Sequence, residues 1–239
     1  PAVVIACAGF AMTIVLGTRH GFGLYLQPMT MDLGISRETF AFAIALQNLI
    51  YGISLPFTGM IADKFGAARV MAAGTIGYAI GLALMSHSTT GMELNLSAGL
   101  IIGVAMGCCG FSTVYGVVGR VIAPERRSTA MGVVGAAGSL GQFLMLPYGQ
   151  LLINHMGWQQ ALLVLAVTVL VLLPLSTALV EDKQAQAAAS KQSIPAALRE
   201  AFSHRGFVLM CIAYTVCGFQ LLFVSVHFPA YLIDQKMSP

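Results

Sequence analysis

Residues 128–180 contain no Asp, Glu, Lys or Arg, and this uncharged stretch is the strongest constraint on the fold. Only 9% of the 239 residues are charged and 57% are hydrophobic, whereas an ordinary soluble domain carries about a quarter charged residues. So few charges exclude a soluble globular domain, and the hydrophobic content excludes a disordered chain. A nucleic-acid-binding protein would need a larger supply of Lys and Arg. We therefore predict a polytopic protein whose partner is the lipid bilayer.

The five cysteines indicate neither a metal site nor a disulfide framework. They lie in apolar stretches without the spacing of metal ligands, at Cys7, Cys108, Cys109, Cys211 and Cys217. We therefore predict no metal and no cofactor.

Uncharged runs long enough to cross a bilayer predict seven helical spans, because a helix needs about 20 apolar residues and an open sheet cannot satisfy its backbone in lipid. The runs are 1–18, 39–62, 70–92, 94–119, 128–180 and 206–233. The run 128–180 is long enough for two spans, with a turn at 154–158. A signal peptide is the alternative for the first run, but no basic residue precedes it and no small-residue cleavage site follows. We expect instead that the chain starts inside span 1.

The distribution of Lys and Arg predicts the orientation of the spans. Of twelve such residues, only Arg37 and Lys236 fall in one set of loops, and Arg19 falls within the apolar region of span 1. The opposite set holds Lys64, Arg69, Arg120, Arg126, Arg127, Lys183, Lys191, Arg199 and Arg205. This asymmetry predicts that the loops between spans 2 and 3, 4 and 5, and 6 and 7 are cytoplasmic.

The polar segment 181–205 divides the chain into two parts. We predict a six-span bundle over residues 1–180, a cytoplasmic linker over 181–205, and the first span of a second bundle over 206–239. Within the linker, Ser193 could cap a short helix that has Pro195 in its first turn.

Span 7 repeats the end of span 1. Pro28 is followed by Asp32, and Pro229 is followed by Asp234 at a spacing that differs by one residue. Transporters are often built from parallel six-span halves. The repeat therefore predicts the start of a second copy, and we expect further spans to follow Pro239.

The loop between spans 2 and 3 carries a recognisable pattern, formed by Gly59, Asp63, Lys64, Gly66 and Arg69. It resembles the signature loop of the major facilitator superfamily, although Ile61 replaces a leucine of that signature. The resemblance implies an all-α membrane protein with a six-span N-terminal bundle, as part of a twelve-span fold. It also implies that Asp63 pairs with Arg120 at the cytoplasmic ends of spans 2 and 4, as part of a gate.

A second pattern joins the loop before span 5 to span 5 itself. It comprises Arg126, Arg127, Ala137, Gly138, Ser139 and Gly141. This pattern resembles the monocarboxylate-transporter branch of the superfamily, and also the oxalate–formate exchanger branch. The Tyr-Phe pair that precedes the basic residues in this family is absent, and Ala123-Pro124-Glu125 stands there. The Gly-Pro-rich element of drug exporters is absent from span 5.

Arg19 is the leading candidate for substrate binding, because a charged residue within a span is costly and usually faces a cavity. A guanidinium binds a carboxylate through two parallel hydrogen bonds. The alternative is that Arg19 reaches to the outer interface. Five further polar residues within spans are candidates for substrate binding or, alternatively, for contacts between helices: Gln47, Asn48, Tyr115, Gln142 and Gln220.

These observations favour a secondary transporter of a small organic anion, and the resemblance narrows this to a monocarboxylate. A proton is one candidate for co-transport, and a bacterial inner membrane is the expected location. The main alternative is an exporter of drugs or metabolites. A membrane-embedded protease is disfavoured, because Ser139 lacks the Gly-x-Ser-Gly context and partner histidine; a non-transporting sensor would show no solute flux.

Overall fold

The structure is a computed structural model that describes residues 2–179 and 194–235, and it contains helices and turns without any strand in these two ranges. The α-helices are α1 (Ala2–His20), α2 (Leu26–Leu33), α3 (Arg37–Phe65), α4 (Ala67–Ser86), α5 (Gly91–Leu94), α6 (Ile102–Cys109), α7 (Phe111–Val121), α8 (Pro124–Leu170), α9 (Leu172–Ser176), α10 (Ile194–Ser203) and α11 (Arg205–Asp234). Short 3-10 segments cover Gly21–Tyr25 and Thr177–Leu179, and a π-helical segment covers Asn95–Ile101.

Six helical segments of the described residues are long and apolar enough to cross a membrane. One of them, Pro124–Ser176, is divided at Gly157, whose φ of 79° and ψ of 166° are not helical. Gly157 lies within the turn predicted at 154–158, and its two sides supply spans 5 and 6. The predicted all-α membrane fold is confirmed, and the segments are called spans 1 to 7 in chain order.

Span 1 continues past Arg19 through the 3-10 segment and α2 to Leu33, so the single charge does not end the helical span and Arg19 lies within it. One predicted boundary was wrong. Span 3 ends at Ser86 and span 4 begins at Gly91, so the uncharged run 70–92 contains a turn. Thr90 caps the new helix there, since its hydroxyl accepts a hydrogen bond from the Glu93 amide at 3.2 Å.

Spans 1 and 5 pack with almost no space between their backbones. A Cβ atom on Gly141 would lie 2.2 Å from the carbonyl oxygen of Thr13, and one on Gly17 would lie 2.5 Å from the carbonyl oxygen of Gly141. The Thr13 hydroxyl also donates a hydrogen bond to the carbonyl of Ala137 at 2.8 Å. Small residues permit this close approach, which provides contact energy between helices in lipid.

Span 4 is irregular at two places. The π-helical segment follows the short helix α5, and the span is broken at Gly110, whose φ of −82° and ψ of −169° are extended. The break sits beside span 2, because a Cβ atom on Gly110 would lie 3.1 Å from the Tyr51 hydroxyl oxygen. The break therefore divides span 4 into a part that ends with α6 and a part formed by α7, and the two parts meet against span 2.

Span 7 lies against the end of span 1 and is otherwise largely exposed. Two hydrogen bonds fix its far end, from Arg37 at the start of span 2 to the two carboxylate oxygens of Asp234, at 2.7 and 2.9 Å.

The structure describes only part of the predicted linker 181–205. Residues 181–193, including the predicted cap Ser193, lie outside the described residues, whereas the predicted short helix corresponds to α10. The boundaries of the two bundles stay a prediction.

Candidate functional site

Arg19 lies inside the bundle, where its guanidinium faces span 2. Its Nη2 donates a hydrogen bond to Oδ1 of Asn48, and its Cζ lies 4.9 Å from the ring centroid of Tyr51. The Asn48 Nδ2 donates to the carbonyl of Ile44 at 2.7 Å, which turns the amide oxygen towards Arg19. Span 1 thus supplies the cation, and one face of span 2 supplies its acceptor and an aromatic ring.

A second tyrosine joins this group from span 3. Tyr78 of span 3 lies within electrostatic range of Arg19, as does Tyr51, and the two side chains are 0% and 8% exposed. We call Arg19, Asn48, Tyr51 and Tyr78 the arginine cluster. Its members come from three spans, so the cluster exists only when the bundle is assembled.

The arginine cluster carries a positive charge that no described carboxylate neutralises. The ion pairs of the described residues are Arg37 with Asp234 and Arg120 with Asp63, and neither includes Arg19. The Arg19 Nε is buried and makes no hydrogen bond within the described part of the chain. Because an uncompensated buried charge is costly, the cluster is suited to receive an anion at the free edge of the guanidinium.

The other substrate candidates form no hydrogen bond or ring contact with Arg19 among the described residues. The Gln47 Nε2 donates to the carbonyl of Ala98 at 2.8 Å, which ties span 2 to span 4. The ring of Tyr115 packs against Phe111 with centroids 5.0 Å apart. Gln142 is half-buried on span 5, and Gln220 is exposed on span 7. Of the six candidates, the structure joins Arg19 with Asn48.

Sequence reasoning missed Tyr51, Tyr78 and His20. Tyr51 is three residues after Asn48 and therefore on the same helical face, a spacing that could have revealed it. The site of Tyr78 on span 3 gave no such signal. The His20 Nδ1 lies 2.9 Å from the carbonyl of Leu16, and its Nε2 is buried without a partner among the described residues.

The predicted contact between Asp63 and Arg120 is present. The Arg120 Nη1 donates to Oδ1 of Asp63 at 2.8 Å, and the two side chains are 17% and 38% exposed, Arg120 being the more buried. Gly66 ends span 2 with a φ of 95°, which favours glycine. The remaining residues of the loop pattern are peripheral: Gly59 faces Ser112, Lys64 lies 5.3 Å from the ring of Phe65, and Arg69 is exposed.

The second pattern serves mainly to pack span 5 on span 1. Ala137, Gly138 and Gly141 face span 1, where a Cβ atom on Gly138 would lie 2.7 Å from Leu16. Arg126 and Ser139 are exposed, while Arg127 is half-buried near Gly119.

Comparison with known proteins identifies the family of this bundle. The family model described as Major Facilitator Superfamily matches residues 2–239. The chain belongs to the major facilitator superfamily. Family membership and the membrane-competent helices together make it an integral, multi-pass membrane protein.

Similar members of the superfamily include mammalian monocarboxylate transporters. The chain is 26% identical to monocarboxylate transporter 13 of Bos taurus over 244 residues, covering 99% of the chain and 55% of that protein. It is 25% identical to monocarboxylate transporter 11 of Mus musculus over 240 residues, covering 98% and 53%. The chain therefore spans about half the length of the curated relatives it matches.

A solved transporter shares the fold. The inward-open xylose transporter XylE of E. coli superposes with a TM-score of 0.70 at 13% identity, covering 96% of this chain and 63% of that structure. At this identity the likeness shows the fold alone.

Proposed function

We propose that this chain forms part of a secondary transporter for small organic anions, specifically monocarboxylates, that works by alternating access between two bundles. The observation that carries the proposal is Arg19, a guanidinium inside the bundle without a carboxylate partner among the described residues. The similarity to monocarboxylate transporters 13 and 11 supports the same class of substrate.

The geometry of Arg19 suits a carboxylate. Asn48 occupies Nη2, while Nε is buried and without a hydrogen-bond partner in the described ranges. A carboxylate at that edge would receive charge-assisted hydrogen bonds and neutralise the cation. Tyr51 lies against the same guanidinium at 4.9 Å and restrains its position.

The cytoplasmic gate is a further part of the proposal. Asp63 and Arg120 join the ends of spans 2 and 4, and we propose that this pair favours the outward-facing state. A partly solvated pair contributes up to about 1 kcal/mol, which changes a two-state equilibrium several-fold.

We also propose that the loops between spans 2 and 3, 4 and 5, and 6 and 7 are cytoplasmic and that the membrane is a bacterial inner membrane. The excess of Lys and Arg in these loops supports this orientation. Labelling of Lys64 only from the cytoplasmic side would agree with it, and labelling from outside would overturn it. The proton remains a proposed coupling ion, testable by uptake under an imposed pH gradient.

The substrate proposal is tested by uptake of labelled lactate, pyruvate and oxalate into proteoliposomes containing the protein that carries this chain. We expect Arg19→Gln to reduce uptake at least about 100-fold, because the charged anchor is lost. The matched control is Arg126→Gln, which removes an exposed arginine and should leave uptake close to that of the unmodified protein. Undiminished carboxylate uptake by Arg19→Gln would overturn the proposal, and flux of organic cations without carboxylates would favour the exporter.

A further inference from the structure

A small cavity opens at the turn between spans 3 and 4, on the opposite side of the bundle from the pair formed by Asp63 and Arg120. Its volume is about 240 Å³, whereas a water molecule takes up about 30 Å³ in the liquid. The cavity can therefore hold a small ligand together with several water molecules. None of the residues assigned to substrate binding or to the gate lines it. The lining residues are Leu84, His87, Ser88, Glu93, Leu96 and Ser97.

His87 presents one of its ring nitrogens as an acceptor. Its Nδ1 lies 2.8 Å from the carbonyl oxygen of Ala83 and 2.9 Å from the hydroxyl oxygen of Ser86. The Ser86 hydroxyl donates its own hydrogen to the same carbonyl at 2.7 Å. Both neighbours of Nδ1 can then only accept, so Nδ1 carries the ring hydrogen and Nε2 of the neutral ring carries the lone pair. A hydrogen bond from one ring nitrogen to a backbone carbonyl is typical of a histidine whose other nitrogen binds a metal.

Glu93 has a fixed carboxylate with one oxygen to spare. Its Oε2 accepts hydrogen bonds from the amides of Thr89 and Thr90 at 2.7 and 3.1 Å, and from the Thr89 hydroxyl at 3.0 Å. No residue between Arg69 and Arg120 other than Glu93 is an Asp, Glu, Lys or Arg. The ion pairs of the described ranges do not include it. Its negative charge is therefore open to a cation from outside the chain.

Two buried serines complete the polar lining of the cavity. Ser88 and Ser97 are 3% and 2% exposed, and their hydroxyl oxygens lie 3.3 Å apart. Ser88 donates to the carbonyl of Leu84 at 3.1 Å, and Ser97 donates to that of Glu93 at 2.7 Å. Because their hydrogens are used in this way, the two oxygens present lone pairs. The polar groups of the cavity are thus acceptors around one negative charge, which suits a cation.

We propose that this cavity binds a divalent transition metal of the Zn²⁺ type, with Nε2 of His87 and Oε1 of Glu93 as its protein ligands. Zn²⁺ accepts imidazole and carboxylate ligands, whereas Mg²⁺ and Ca²⁺ prefer oxygen alone. The described residues contain no group of three His, Cys, Asp or Glu side chains suited to a metal. Water and the serine oxygens therefore fill the other positions, and the metal exchanges readily. The prediction of no metal from the sequence considered the cysteines, which take no part in this site.

The test is Zn²⁺ binding to the purified protein that carries this chain, measured by isothermal titration calorimetry in detergent. We expect His87→Ala and Glu93→Gln each to raise the Kd for Zn²⁺ at least about tenfold. Glutamine at position 93 can still cap the start of the helix, so a loss of affinity there reports the missing charge. Mg²⁺ should bind equally to the unmodified protein and to His87→Ala, because it does not use the imidazole.

His155→Ala is the matched control, because it removes an exposed histidine from the turn between spans 5 and 6, on the same side of the bundle. Its Kd for Zn²⁺ should equal that of the unmodified protein. Full affinity in both cavity variants would overturn the site. An equal loss in His155→Ala would show adventitious binding to surface histidines, and would overturn it as well.

Chemical modification of the unmodified protein decides the matter if a variant does not fold. Diethyl pyrocarbonate acylates an imidazole nitrogen that carries a lone pair, and mass spectrometry measures the rate at each histidine. Saturating Zn²⁺ should slow the modification of His87 several-fold and leave that of His155 unchanged. Equal rates at His87 with and without Zn²⁺ would overturn the site. Neither readout involves solute uptake, so a failure here leaves the proposed transport function untouched.

Discussion

Replacing Gly141 with alanine tests the packing of span 5 on span 1. The new Cβ would lie 2.2 Å from the carbonyl oxygen of Thr13 and 2.5 Å from its Cα. Both are backbone atoms, so no rotation of a side chain can relieve the overlap. The two helices must separate by roughly 1 Å before ordinary contact distances return.

The cost follows from this overlap. Inserting a methyl group into a well-packed interface costs about 1–3 kcal/mol, and the separation also stretches the hydrogen bond from Thr13 to Ala137, worth about 1 kcal/mol. The gain in helix propensity from Gly to Ala returns only about 0.5–1 kcal/mol. With roughly 2–4 °C per kcal/mol for a chain of this size, we expect Gly141→Ala to lower the Tm by about 5 °C.

The assay is thermal unfolding of the purified protein in detergent, followed by circular dichroism. The control is Gly132→Ala on the same span, since a Cβ there has no neighbour within 4 Å. This variant should keep its Tm or raise it by about 1–2 °C through helix propensity. The close-packing explanation would be wrong if Gly141→Ala matched the unmodified protein, or if both variants lost the same stability.

Three other predictions concern polar contacts. Asp63→Asn should slow uptake several-fold without preventing membrane insertion. The double variant Asp63→Arg with Arg120→Asp, which exchanges the two charges, should recover part of the uptake rate. The hydrogen bond from the Arg37 guanidinium lowers the pKa of Asp234 below its ordinary value of 3.8. The contact between Arg37 and Asp234 therefore stabilises the fold at neutral pH, and this stabilisation is lost when the pH falls below that value. Asp234→Asn should remove this part of the pH dependence of thermal unfolding. Asp32→Ala leaves the indole Nε1 of Trp158 without its 2.9 Å acceptor, which should cost about 1 kcal/mol in thermal unfolding.

Features fixed by local composition could be predicted from the sequence. Long uncharged runs located the spans, and the polar residues around Gly157 located the turn between spans 5 and 6. The contact between Asp63 and Arg120 was predictable because Asp63 belongs to the family pattern and the resemblance implies that it pairs with Arg120 at the end of span 4. The turn that ends span 3 at Ser86 was missed, since its residues are polar but uncharged and hydropathy alone does not separate them from a span.

The arginine cluster could be predicted only in part. Arg19 was identified by its charge and Asn48 by its polarity, but Tyr78 joins them through the rotation of span 3 about its axis. That rotation is set by packing between helices, which hydropathy does not encode. Gln47 was predicted to bind substrate because it is polar. In the structure its side-chain amide instead donates a hydrogen bond to the backbone carbonyl of Ala98.

The three-residue turn 34–36 joins two anchoring points on one face of the protein. Asp32 just before it holds Trp158 of span 6, and Arg37 just after it holds Asp234 of span 7. Asp32 and Asp234, which correspond in the repeated segment, thus have different partners: Asp32 contacts Trp158 of span 6, and Asp234 of span 7 contacts Arg37 at the start of span 2. An antibody fragment that binds this turn would contact the segment between the Asp32–Trp158 and Arg37–Asp234 contacts. Such a fragment could hold spans 6 and 7 in one arrangement for structure determination.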